Sequence, residues 1–328
     1  MTDGTSGPRK VLAVTDDSDT QLALLSAAAL AERHGAALEA ITCVEPPHDL
    51  NVLARLAGRD TAHLVEELRD RAGQAMAARL ATHLPGRRVT AQVAVGKTFV
   101  EVIRHVIASG CDFVVKAAEA PSGIHRFLFA STDQHLLRKC PQPVWLQTAD
   151  ANPVPKCVIA AVDVDLWDAA EPETLLALNR RVLETACRVA APTGSEVIAL
   201  HAWDAAGEGL VWAFASRADA QKAADAYIEE LLEARHKAMS RLLDGIAEDA
   251  ADAAAVPIIP RLVRGAPEQM IEEQAQALGA DVVVMGTVAR TGLSGIIIGN
   301  TAENIINNLE CPVIAVKPDG FVSPLDIR

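Results

Sequence analysis

Ser109-Gly-Cys-Asp-Phe-Val-Val-Lys116 and Leu278-Gly-Ala-Asp-Val-Val-Val-Met285 are two versions of one phrase. Each sets Gly and Asp before a short apolar run, the pattern of a buried strand. They lie 169 positions apart, and the same offset carries Gly96 onto Gly265, Gly123 onto Gly292, Thr132 onto Thr301, Pro143 onto Pro312 and Val144 onto Val313. A match that runs without a gap from about residue 93 to 146 marks a duplicated domain. The starts of the two halves correspond more loosely, Val11-Leu-Ala-Val-Thr-Asp16 answering Val158-Ile-Ala-Ala-Val-Asp163. The polar, proline-containing stretch Thr148 to Lys156 reads as the linker, giving domains over 1–150 and 151–328.

Short apolar runs bounded by Asp, Gly or Pro recur through both halves. In the first they are Val11–Val14, Leu38–Val44, Val89–Val95, Phe113–Val115 and Val144–Leu146. In the second they are Val158–Val162, Val197–Ala202, Ile258–Val263, Val282–Met285 and Val313–Val316. Segments of helical period separate them. Ile228, Leu231, Leu232, Arg235, Met239, Leu242, Leu243 and Ile246 fall on one helical face opposite Glu229, Glu230, Glu233 and Lys237. That face covers a sheet, and its mixed polar side does not suit a membrane-surface helix. Strand and helix alternating without hairpin signals predict an α/β fold, a parallel sheet with helices on both faces. Ligands of such sheets sit beyond the carboxyl ends of the strands, so any site is expected after strands one and four of each half.

Composition narrows the functions. Of the 328 residues 50% are hydrophobic and 22% charged, enough for a real core. Aromatic residues make up 3%, too few for a platform that stacks exposed bases. A formal charge of −13 without a basic cluster repels phosphate backbones and anionic lipid, so neither a nucleic acid nor a membrane is an expected partner. The polar start, Met1 to Lys10, has no secretory h-region, and no uncharged apolar run is long enough to span a bilayer, so a cytoplasmic location is expected. Cys43, Cys111, Cys140, Cys157, Cys187 and Cys311 form no CxxC pair and read as buried free thiols.

After the fourth strand of the second half comes Gly286-Thr-Val-Ala289-Arg290-Thr-Gly292-Leu-Ser-Gly295-Ile-Ile-Ile-Gly299-Asn300-Thr301. The glycines are expected to take φ > 0 and let the backbone approach a ligand. A helix over Thr301 to Leu309 would offer its free N–H groups to an anion, with Arg290 beside it. The spacing resembles the nucleotide motif of the universal stress protein family: Gly, two residues, Gly, nine residues, Gly, then Ser or Thr. Gly286 and Gly299 match its first and third glycines; Ala289 replaces the second, and Asn300 replaces the hydroxyl residue. Asp163 at the end of strand one, His201-Ala202 at the end of strand two and Gly265-Ala-Pro strengthen the resemblance, which covers nearly the whole chain as two tandem copies.

This resemblance implies two adenine nucleotide alpha hydrolase-like domains, each a five-stranded parallel sheet in order 3-2-1-4-5, docked through their last strands into an intrachain pseudo-dimer. It implies a non-catalytic, cytoplasmic stress-response module that binds ATP, with Mg²⁺, in the second domain. Asp163 would lie by the adenine and ribose, and the Ala202 backbone would meet the adenine edge. Gly286, Gly299 and Asn300 would give N–H groups to phosphates, flanked by Ala289 and Arg290, with Thr301 in the first helical turn. In the first half Ala117, Ala120 and Ala130 take the three glycine positions and Glu119 would repel phosphate, so no nucleotide is expected there. A carrier of an apolar small molecule in that alanine-lined cleft, a slow ATPase or phosphotransferase using Asp163 as metal ligand, and assembly into a homodimer are the other readings.

Three patterns read as structural. Gly96-Lys97-Thr98 follows a strand, Gln92 to Val95, which a phosphate loop would need as loop. Asp133 and His135, with His125, read as a solvated polar face and not as metal ligands. Asp16-Asp17-Ser-Asp19 reads as a strand end and helix N-cap.

Overall fold

The computed structural model describes residues 7–17, 20–119, 131–190, 194–214, 219–249, 256–287 and 299–326. The first half runs β1 (Lys10–Val14), α1 (Leu22–His34), β2 (Ala37–Val44), α2 (Leu50–Leu56), α3 (Thr61–His83), β3 (Thr90–Val95), α4 (Thr98–Ser109), β4 (Phe113–Ala117), α5 (Ser131–Lys139) and β5 (Val144–Gln147). The second runs β6 (Cys157–Ala161), α6 (Pro172–Val189), β7 (Glu196–Trp203), α7 (Glu208–Phe214), α8 (Ala220–Asp249), β8 (Ile258–Arg264), α9 (Pro267–Leu278), β9 (Val282–Gly286), α10 (Asn300–Asn308) and β10 (Val313–Val316). Every apolar run read as a strand is one.

All ten strands form one sheet in the order β3-β2-β1-β4-β5-β10-β9-β6-β7-β8. Each half therefore has the order 3-2-1-4-5, parallel throughout, as a mostly parallel α/β fold requires. The last strands meet antiparallel, Trp145 opposite Ile314, so neither is left as an open edge. Side chains alternate along each strand between two cores. Val11, Ala13, Val158 and Ala160 pack with α1, α6 and α8; Leu12, Val14 and Ile159 pack with α4, α5, α9 and α10. Both cores cross the seam between halves, and Arg138 of α5 ion-pairs with Glu303 of α10 across it.

The repeat preserves its turns as well as its strands. Helices α4 and α9 both stop at a glycine in the left-handed region, Gly110 at φ 69° and Gly279 at φ 60°, where a Cβ would be strained. Three local expectations are corrected. Helix α1 has Gln21 at its N-cap, itself left-handed at φ 46°, with no side-chain cap among the described residues; Gln21 Nε2 donates to the Asp16 carbonyl at 3.0 Å, and Ser18 and Asp19 lie outside the described residues. Asp133, expected in solvent, is fully buried against Lys116, because the charge that would strand it in the core is matched there. Gly286 and Gly299 are not among the glycines with positive φ, and Gly299 sits at φ −60°, ψ 140°, open to any residue.

Candidate functional site

Each half presents a cleft where β1 and β4, or β6 and β9, end side by side. In the first half, the cleft holds a cavity of about 400 Å³ whose lining includes Asp16, Asp17, Arg79, Thr98, Lys116 and Glu119. Val14, Cys43 and Ala118 line it as well, beside these polar and charged groups. Lys116 ends β4 where the second half has Met285. Its Nζ lies 2.8 Å from Asp133 Oδ1 and 2.9 Å from Glu119 Oε1, and Asp133 also accepts the Glu119 backbone N–H at 2.8 Å. Burial pulls the ammonium down, but the two carboxylates outweigh it and hold Lys116 above its usual value. The cation is thus matched internally. The neighbouring N-terminus of α4 is also occupied: the Thr98 N–H donates to Glu45 Oε1 at 2.6 Å, so Gly96-Lys97-Thr98 cradles a carboxylate of the chain itself.

In the second half the register brings the expected residues to one edge. Ala161 pairs with both Met285 and Leu200, so Asp163, Ala202 and Gly286 all lie just beyond the same level of the sheet. The Gly299 N–H donates to the Thr287 carbonyl at 3.2 Å, which ties the start of α10 to the end of β9. Asn300 and Thr301 form the exposed first turn of α10, and among the described residues no side chain caps it. Ala289 and Arg290 lie outside the described residues.

Behind Asp163 stands a buried polar cluster. Asn179 of α6 clamps the Asp163 backbone, accepting its N–H at 3.0 Å and donating to its carbonyl at 2.6 Å. His201 is 1% exposed, with Nδ1 3.1 Å from the Val162 carbonyl and Nε2 3.4 Å from Asp165 Oδ1. Arg235 of α8 reaches Asp165 Oδ2 at 2.9 Å, its guanidinium 4.6 Å from the Trp203 ring and 5.2 Å from that of Trp167. Burial pushes the Asp165 carboxyl up, but His201 and Arg235 outweigh it and hold it below its usual range. Nδ1 also lies 3.5 Å from the Val164 N–H, so both ring nitrogens of His201 face polar partners. Donor atoms of Asp163, Asp165 and His201 lie within 4.8 Å of one another. Sequence reading missed Asp165 and the reach of Arg235; the available signal was one charged residue on an otherwise apolar helical face.

On the far side of the same edge, Lys317 follows β10. It is buried, its Nζ 2.5 Å from Thr287 Oγ1, and burial pulls its pKa down to about 8. No helix among the described residues is long and apolar enough to cross a membrane.

Comparison with known proteins agrees with this architecture. The sequence profile of the Universal stress protein family matches residues 8–146 and 177–317. Universal stress protein E of Escherichia coli K12 is 30% identical over 234 residues, 70% of this chain and 68% of that protein. The crystal structure of PA1789 from Pseudomonas aeruginosa PAO1, described as functionally unknown, covers 97% of this chain and 95% of its own at 24% identity, with a TM-score of 0.64. A universal stress protein of Archaeoglobus fulgidus covers 97% of this chain and 99% of its own at 17% identity, with a TM-score of 0.59. Two profile matches, a curated relative at 30% identity and a sheet that repeats its strand order about the seam lead to one conclusion: the chain belongs to the universal stress protein family, with two tandem copies of its domain.

Proposed function

We propose that this protein is a non-catalytic, cytoplasmic stress-response module that binds an adenine nucleotide, ATP with Mg²⁺, in the second half. The observation that carries the reading is the Gly299 N–H to Thr287 carbonyl bond, which brings the N-terminus of α10 to the end of β9 at the edge where Asp163 lies. The first-turn N–H groups of α10, on Asn300, Thr301 and Ala302, and the helix dipole suit phosphate in this reading. Asp163, with a side chain 26% exposed, is placed to accept ribose or adenine donors, and the Ala202 backbone borders the same edge. The first half takes no nucleotide in this reading, because Lys116 is already matched by Asp133 and Glu119. Calorimetric titration of the full chain with Mg-ATP tests it. Gly299→Val should remove binding while leaving the fold intact, because its torsions accept valine; Ala118→Val in the first cleft should change nothing. Equal losses from both would refute the assignment.

A second reading, slow ATP turnover with Asp163 as a metal ligand, has the convergence of Asp163, Asp165 and His201 in its favour. Release of labelled phosphate, abolished in Asp163→Ala with nucleotide binding retained, would establish it over the first.

A further inference from the structure

At the opposite end of the first sheet, where strands begin, four ionisable side chains meet without any role in either cleft. Glu39 of β2 turns Oε1 to Lys10 Nζ at 3.0 Å and Oε2 to His105 Nε2 at 2.6 Å and Cys111 Sγ at 3.6 Å. The donor atoms of Glu39, His105 and Cys111 lie within 4.8 Å of one another. Cys111 is 1% exposed, while the Glu39 and His105 side chains are 11% and 12% exposed, so the group opens at one rim.

The duplication supplies an internal control. The register that pairs Leu12 with Glu39 in the first half pairs Ile159 with Ile198 in the second, and the offset of 169 carries His105 onto Gln274 and Cys111 onto Ala280. Ile198 and Ala280 there belong to the apolar core. The fold is therefore satisfied by apolar or neutral residues at these positions. Burying a carboxylate, an imidazole and a thiol in their place costs desolvation that packing does not demand.

We propose that Glu39, His105 and Cys111 form a binding site for a thiophilic divalent transition-metal ion of the zinc class. The donor set is one oxygen, one nitrogen and one sulfur, which suits zinc and not magnesium or calcium. Bond lengths of about 2.0–2.3 Å in a tetrahedral site place donor atoms about 3.3–3.6 Å apart; Oε2 to Sγ at 3.6 Å already fits, Oε2 to Nε2 at 2.6 Å must open, and Nε2 and Sγ lie within 4.8 Å of each other. The outer contacts are in place. Lys10 holds Oε1 and leaves Oε2 as the ligand atom, and Lys10 Nζ is itself fixed by the Ser109 carbonyl at 2.7 Å. Ser109 Oγ donates to the His105 carbonyl at 2.7 Å and lies 3.2 Å from Cys111 Sγ, so it would reach a thiolate by turning its one hydrogen. On binding, the Sγ–H proton leaves to solvent, the metal–sulfur bond forms, and the imidazole offers its Nε2 lone pair with its proton on Nδ1; nothing is oxidised or reduced. Burial pushes the free thiol up to about 11, so the metal itself must displace that proton.

Cobalt(II) and zinc(II), added to the reduced, chelator-treated full chain, test the site. Cobalt should bind at one equivalent with a sulfur-to-cobalt charge-transfer band in the near ultraviolet. Zinc should compete it away and register against a chromophoric chelator. His105→Gln and Cys111→Ala, which install the residues of the second half, should lose the band and weaken zinc by at least about tenfold. Cys157→Ala and Cys311→Ala should keep it. The band separates this site from the Asp163 cluster, which contains no sulfur. If Cys111→Ala does not fold by circular dichroism, Cys111→Ser replaces it, with the same loss expected. Absence of a thiolate band in the wild type, or its survival in a folded Cys111 variant, would show that the group is a structural ion network only.

Discussion

Leu178 of α6 stands where a side chain on Gly286 would have to go: a Cβ built there meets Leu178 Cδ2 at 2.6 Å and Cγ at 3.0 Å. Helix-on-sheet packing thus favours the first glycine of the nucleotide-like motif, since a side chain there would force Leu178 to move. Gly286→Ala should destabilise the protein by about 1–3 kcal/mol through overpacking, read from urea midpoints. In a Leu178→Ala background the same change should cost little, since the methyl then has room. An undiminished cost in that background would mean that the glycine serves something other than this contact.

The buried pair Lys116–Asp133 is an internal ion match that stands where the other half has Met285 and Ala302. Asp133→Ala leaves the ammonium buried with only Glu119 for a partner and should cost about 3–5 kcal/mol. Replacing both ends, Lys116→Met with Asp133→Leu, should recover most of that loss. A double variant as unstable as the single one would indicate that the cation itself is needed in the cleft.

Lys317 should make stability depend on pH in an unusual direction. Its folded pKa of about 8 lies below the unfolded value of about 10.4, so between these the unfolded chain holds a proton that the folded chain has released. Its contribution to stability therefore rises with pH across that window, and the cost of burying the charge is fully present at neutral pH. Lys317→Met should stabilise the protein by on the order of 1–3 kcal/mol at pH 7 and by clearly less near pH 10. Denaturation at both values checks this; a gain independent of pH would place the ammonium in a well-solvated setting.

Asp165 carries the opposite sign. Its carboxyl is held low by His201 and Arg235, so its contribution is present above the ordinary carboxylate range and is lost as pH falls through the depressed value. Asp165→Asn should lower stability at pH 7, and the gap to wild type should narrow in acid. A gap constant from pH 7 down to the onset of acid unfolding would contradict the pairing.

What could be read in advance follows the range of the interactions. The eight inner strands were legible because both faces of the sheet are covered there, which makes each a largely apolar run, whereas the outer strands β3 and β8 are mostly exposed and carry polar residues. The seam was legible because Val144-Trp-Leu and Val313-Ile-Ala-Val would otherwise be bare edges. The clusters were not. Glu39 is 66 residues from His105, and Asp165 is 70 from Arg235, so no local spacing announces either group. Torsions misled in the other direction: Gly286 is favoured as a glycine by Leu178, a contact that the motif itself does not encode. Asp133 looked like part of a wet helix face because its partner Lys116 lies on a different element.

The most direct test of the nucleotide site restores its two departures. In the proposed site Ala289 stands for the motif's second glycine and would add a methyl, and Asn300 stands for its compact hydroxyl donor. A lost or misaligned hydrogen bond to a charged group is worth about 1.5–3 kcal/mol, and about 1.4 kcal/mol is tenfold in affinity. Calorimetric titration of Mg-ATP into the wild type and into Ala289→Gly with Asn300→Ser should show weak binding in the first and a gain of about tenfold or more in the second, with Mg²⁺ strengthening it. A folded double variant that binds ATP no better than the parent would contradict the account and leave the second-half cleft to another ligand.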